Sequence, residues 1–130
     1  MADLLHKELS YQVQGAFFEV YKSFNNAFKE KVYHNALVTE LKKRGLKIET
    51  EKRINIFYQN EKVGVYVPDI VVEDCIIIEL KRKPKLTKSD LKQFWQYLKG
   101  SKYKVGYLVN FGQSKRVEYI RRVYDTAREV

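Results

Sequence analysis

Pro68-Asp69 and Glu79-Leu80-Lys81, separated by nine residues, are the part of this 130-residue chain whose residue types could do chemistry. Cys75-Ile76-Ile77-Ile78 reads as a buried strand, and charged side chains rarely continue such a strand without a reason. Glu79 and Lys81 are two apart, so on a strand both project from one face. Each fragment has an ordinary reading. The charges can end an aggregation-prone strand or form a salt bridge, and Asp after Pro is common turn chemistry. Together they suggest more. Two acids on adjacent strands can hold a hard divalent cation such as Mg²⁺ through oxygen. That cation would activate water and neutralise charge at a phosphodiester. Lys81 could position or deprotonate the water and add positive charge.

The chemistry sets a condition on the turn between the two strands. A two-residue turn at Glu73-Asp74 would pair Val72 with Cys75. Asp69 would then lie opposite Ile78, on the other face from Glu79. Convergence requires a loop of odd length, such as Glu73-Asp74-Cys75, or a bulge.

The elements that must carry these residues follow from periodicity. Residues 3–25 predict a helix with a stripe of Leu5, Leu9, Val13, Ala16, Phe17, Val20 and Phe24, stopped at Asn25-Asn26. Residues 28–44 predict a second, ending at Gly45, with Glu30 in its first turn and Val32, Tyr33, Ala36, Leu37 and Leu41 inward. Strands are expected at 47–58, 62–72 and 75–81, as an antiparallel meander with a turn at Gln59-Asn60-Glu61. Thr87-Lys88-Ser89-Asp90 resembles a capping box with Asp in place of Glu. It opens a helix to about residue 99, with Leu91, Trp95 and Leu98 on its core face. A fourth strand is expected at 103–111, and 116–124 reads as a strand rather than a helix. The order predicts an α/β fold with a central mixed sheet flanked by helices.

The length fits one domain, taken as residues 1–130. One cysteine, Cys75, allows no internal disulfide and points to a reducing, cytoplasmic setting. His6, His34 and Cys75 lack zinc-ligand spacing. No apolar run is long enough for a membrane span, and the start MADLLHKELS does not read as a signal peptide. The net charge of +9 favours a polyanionic partner, although charge also serves solubility.

Pro68-Asp69 with Glu79-Leu80-Lys81 matches the pattern that names the PD-(D/E)XK nuclease superfamily, and Gln93-Phe94-Trp95-Gln96-Tyr97 resembles the QxxxY motif of its RecB-type branch. Over residues 8–123 the chain looks like the small GxxExxY family. The shared stretches are Gly15 to Val20, Glu30 to Tyr33, Gly64 to Asp69, Glu79 to Lys81, Gln93 to Lys99 and Asn110 to Gly112. Ala27 stands where that family's first Gly would be. The resemblance implies a restriction-endonuclease-like core with an extra N-terminal helix. It also implies a nuclease using Mg²⁺ or Mn²⁺, with DNA the expected substrate. Asp69 and Glu79 would bind metal, joined by an acid from the first core helix (Glu30, or Glu19 as the second candidate) and by the Leu80 carbonyl. Lys81 would assist the water, Gln93 would orient a ligand or phosphate, and Tyr97 would pack or bond beside it.

The run Lys81-Arg82-Lys83-Pro84-Lys85, with Lys88 and Lys92, leads out of this region. Lys83, Lys85, Lys88 and Lys92 could track a nucleic-acid backbone, with Tyr97 as a further nucleic-acid contact; a solvated face or an import signal would look alike. Two other functions fit the same sequence: a non-cleaving nucleic-acid-binding module on this fold, or a basic protein that binds an acidic partner. A homodimer also remains compatible.

Overall fold

The computed structural model describes residues 6–125. Leu5, the first residue of the expected stripe, lies outside them. The first helix, α1 (Lys7–Phe24), buries Val13, Ala16, Phe17, Val20 and Tyr21. It stops at Asn25, whose φ of 51° is left-handed. The second helix, α2 (Glu30–Lys43), buries Tyr33, Leu37 and Leu41. It starts two residues later than expected and closes with a Schellman motif. Gly45 (φ 82°) donates to Lys42 O, and Leu46 donates to Leu41 O.

Seven strands follow: β1 (Ile48–Glu49), β2 (Ile54–Tyr58), β3 (Glu61–Tyr66), β4 (Ile70–Val72), β5 (Ile76–Lys81), β6 (Val105–Asn110) and β7 (Glu118–Val123). Helix α3 (Lys88–Gly100) crosses over between β5 and β6. The main sheet has order β1-β4-β5-β6-β7, antiparallel except for the parallel pair β5-β6. β2 and β3 form a separate two-stranded sheet.

The two long strands expected at 47–58 and 62–72 are each broken in two. The break preserves register. Ile48 pairs with Val72 and Ile54 with Tyr66, so β1/β4 and β2/β3 are one hairpin interrupted between them. Pro68 lies in the interruption, where a missing N–H removes a ladder bond. The turn is tighter than expected. Gln59 and Asn60 both have positive φ and Tyr58 pairs with Glu61, a two-residue loop in which Glu61 already belongs to β3.

The alternation of side chains divides the interior. Ile70, Val72, Ile76, Ile78 and Leu80 face α1 and α2 in one cluster. Val71 and Ile77 face α3, with Tyr66, Phe94, Leu98 and Leu108. The core face of α3 is therefore Phe94 and Leu98. Leu91 and Trp95 are only half-buried, because the helix is rotated to seat Phe94 over Gly106. A Cβ at Gly106 would lie 2.7 Å from the Phe94 ring. The capping box forms: Thr87 Oγ1 accepts from Asp90 N (3.1 Å), and Asp90 Oδ2 accepts from Thr87 N (2.9 Å). Residues 118–123 are the edge strand β7.

Candidate active site

The turn between β4 and β5 decides how the acids meet. Glu73 and Asp74 both have positive φ, Cys75 N–H closes on Val72 O (2.9 Å), and Cys75 adds a third loop residue. Val72 pairs with Ile76, Val71 with Ile77 and Ile70 with Ile78. The next step sets Asp69 opposite Glu79. The odd loop that the chemistry required is Glu73-Asp74-Cys75, and both carboxylates lie on the α3 side of the sheet, with Lys81 two residues on.

The pair is coupled. Burial, then the Asp69 charge, pushes the Glu79 carboxyl up to about 8, against the opposing effects of the Tyr66 hydroxyl and Lys81. Below that pH Glu79 holds a proton and hydrogen-bonds Asp69. Tyr66 O–H donates to Glu79 Oε2 and stacks on Tyr97 with ring centres 4.1 Å apart. Burial, then the Glu79 charge, raises the Tyr66 phenol far above its ordinary range. Tyr66 thus fixes one Glu79 oxygen as an acceptor, and Tyr97 fixes Tyr66.

Asp69 is held in turn. Its Oδ2 accepts from Leu80 N–H (2.8 Å), and its backbone carbonyl lies 3.2 Å from His34 Nε2 on α2. Lys81 O accepts from Phe111 N–H (2.9 Å) on the β6 side, so the Leu80 amide faces the β4 edge. Continued one step, the register places Leu80 opposite Pro68, which has no N–H to give. The Leu80 N–H turns to Asp69, and the Leu80 carbonyl is left without a ladder partner beside the acids.

Glu30 opens α2 and feels this cluster. Partial desolvation and then Asp69 raise its pKa, while Lys81 and His34 pull it down. Glu19 does not come here; it is exposed and lines a groove between α1 and α2 with Val20, Ser23 and Ala36. Its position on the flank of the α1 stripe turns it along α2 rather than over the sheet end. Gln93 reaches the rim of a small pocket lined by Glu79, Lys81, Asp90 and Tyr97. Tyr97 is half-buried on the same side, through its stack with Tyr66.

Lys85, Lys88 and Lys92 are exposed. Lys83 is not free. Its Nζ sits 2.7 Å from Asp90 Oδ2, and its backbone is gripped by the buried Asn110 side chain. Burial works against ionisation of Asp90, but the Lys83 and Thr87 hydrogen bonds prevail and hold its carboxyl down at about 2. Gly112 completes this clamp, since a Cβ there would lie 2.1 Å from Lys83 O. Tyr33 and Ala27, in the GxxExxY-like stretch, serve the turn before α2. Tyr33 O–H donates to Asn25 O (2.5 Å), accepts from Phe28 N (3.2 Å) and stacks on Phe111. Ala27 has no positive φ, so the turn does not need glycine there.

Tyr66 and His34 were not foreseen as parts of the site. The break at Pro68 hides the parity linking Tyr66 to Glu79, and His34 contacts a backbone atom that no spacing rule marks.

The sequence profile of the PD-(D/E)XK nuclease superfamily matches residues 7–123. The chain belongs to that superfamily. Searches of curated proteins and of solved structures returned no match. The α/β architecture, with its mixed five-stranded sheet and three helices among the described residues, is that of a restriction-endonuclease-like PD-(D/E)XK fold. None of these helices is long and apolar enough to cross a membrane.

PD-(D/E)XK nucleases generally use divalent metal ions, and the donor set here suits a hard cation. Two adjacent carboxylates, one holding a proton that a cation would displace, lie beside the Leu80 carbonyl, which has no β4 ladder partner among the described residues. Among the described residues no group of three Asp, Glu, His or Cys side chains could hold a metal ion. Glu30 is therefore near enough to feel Asp69 but is not gathered as a third ligand. Mg²⁺ tolerates such a set, since it keeps several waters and often takes only one or two carboxylates plus substrate phosphate.

Proposed function

We propose that the protein is a Mg²⁺- or Mn²⁺-dependent nuclease acting on DNA, of the GxxExxY type within the RecB-like branch. The observation that carries this reading is the register at β4-β5, which sets Asp69 beside Glu79 with Lys81 on the same face. Asp69, Glu79 and the Leu80 carbonyl would hold the cation, with Glu30 acting through a bound water. The cation, when bound, supplies water activation and charge neutralisation at the phosphodiester. Glu79 would give up its proton to solvent when the cation is bound. Tyr66 keeps Glu79 oriented, and Lys81 places its ammonium beside the attacked phosphate, stabilising charge as it develops. Gln93 orients water or phosphate from the α3 rim. Lys85, Lys88 and Lys92 contact the backbone of the bound strand. The same reading takes residues 1–130 as one nuclease-like domain in a cytoplasmic setting, alone or as a homodimer.

The two-carboxylate set favours a second reading, a nucleic-acid-binding module that does not cleave. An EDTA-controlled cleavage assay on linear, circular, single- and double-stranded DNA and RNA separates the two. Cleavage restored by Mg²⁺ or Mn²⁺ supports the enzyme. Binding without cleavage across the panel supports the module.

A further inference from the structure

Beyond the acidic cluster, the chain forms a cleft of about 670 Å³ whose lining includes Asn26, Arg82, Gln113, Ser114, Lys115 and Arg116. Three of these are cations and none is an acid. Lys115 and Arg116 are exposed and pair with no carboxylate among the described residues. Glu118, the acid nearest in sequence, is already used: its Oε1 accepts from Leu86 N, Asn110 Nδ2 and Gln113 Nε2.

The loop that presents these cations has no regular structure, yet it is fixed. Gln113 O accepts from Tyr21 O–H (2.7 Å), Gly112 O accepts from Asn26 Nδ2 (3.3 Å), and Gly112 N–H donates to Asn110 Oδ1 (3.1 Å). Arg82 spans to the turn before α2, donating from Nε to Phe28 O (2.9 Å) and from Nη2 to Asn26 O. Its Nη1 takes part in neither bond. The cleft is joined to the acidic cluster along the chain at two places: Arg82 follows Lys81, and the Asn26–Phe28 turn leads into Glu30.

We propose that this cleft is the track for the backbone of the polynucleotide strand next to the scissile phosphate. Arg82, Lys115 and Arg116 contact its phosphates, and Gln113 and Ser114 contact phosphate or sugar oxygens. Exposed cations carried on an anchored loop, with no carboxylate lining the cleft beside them, fit a polyanion, and contacts limited to the backbone make the track indifferent to sequence. The inference rests on the nuclease reading for its direction, but its test does not.

Binding of labelled oligonucleotides, single- and double-stranded DNA and RNA, is measured by anisotropy in EDTA across a salt series. Lys115→Ala/Arg116→Ala is compared with the parent and with Lys42→Ala/Lys43→Ala, a charge-matched control at the far end of α2. Losing two phosphate contacts should reduce the slope of log K against log salt by about 1.4 on single strands. The control should keep the parent slope. Where cleavage occurs, the cleft variant should lose rate on long substrates and keep the parent rate on bis(p-nitrophenyl) phosphate. A parent that binds no polynucleotide, or a cleft variant with the parent's slope, overturns the proposal. A parent that binds through the cleft but cuts nothing sinks the nuclease reading alone.

Discussion

At the scale of the residue, Lys81 and Glu79 separate two kinds of contribution. Lys81→Ala should leave folding and Mn²⁺ binding intact, because Asp69 and Glu79 remain, and should lower the cleavage rate by roughly 10²-fold or more. Asp69→Ala should abolish both metal binding and cleavage. Calorimetric Mn²⁺ titration paired with rates checks this; a Lys81→Ala protein cutting at the parent rate would remove Lys81 from the chemistry. Glu79 predicts an unusual pH dependence for the metal-free protein. Its folded value of about 8 lies above the ordinary 4.5. The unfolded chain thus releases the proton first, and the folded state is favoured by binding it. This contribution is full below the unfolded value and is lost as pH rises to about 8. Urea midpoints in EDTA should fall across that window for the parent but not for Glu79→Gln. An equal fall in both would place the titration elsewhere.

Among the elements, the β4-β5 turn carries the most information. Deleting Cys75 leaves a two-residue Glu73-Asp74 loop across which Val72 still pairs with Ile76, so Asp69 should stay opposite Glu79 on the α3 side. Metal binding should then be retained, as it should in Cys75→Ser, which preserves loop length. Binding lost on the deletion but kept in Cys75→Ser would show that the three-residue loop itself, and not the strand pairing alone, sets the carboxylates. Much of the architecture was legible because its signals are local. The capping box at Thr87, Gly45 as the terminator of α2 and the switch from helical to alternating period all depend on neighbours in sequence. The odd loop was legible as a condition rather than a fact. The split of each long strand was not, because Pro68 interrupts a ladder only once its partner strand is known. Phe94 was missed as the residue seated on the sheet, since the rotation of α3 depends on the space left by Gly106. Lys83 looked like part of an open basic run, but its partner Asp90 lies across the start of α3.

For the molecule as a whole, metal binding and folding should be linked. An ion that binds only the folded state stabilises it by about 2.7 kcal/mol at a hundredfold excess over Kd. For a domain of this size that is a rise in Tm of several degrees. Differential scanning fluorimetry should show the rise with Mn²⁺ for the parent and none for Asp69→Ala. A rise of equal size in both would point to a cation site away from the carboxylates.

The short loop between β4 and β5 also bears on the order of assembly. Asp69 and Glu79 need only a three-residue closure to meet. The parallel pairing of β5 with β6 must wait for the α3 crossover, and Glu30 must wait for α2 to dock. Local closures cost less chain entropy and tend to come first. A refolding chain should therefore own its carboxylate pair before it owns the rest of the site. Divalent cation present during stopped-flow refolding would then accelerate the folding limb of the parent, leave its unfolding limb nearly unchanged, and do neither in Asp69→Ala.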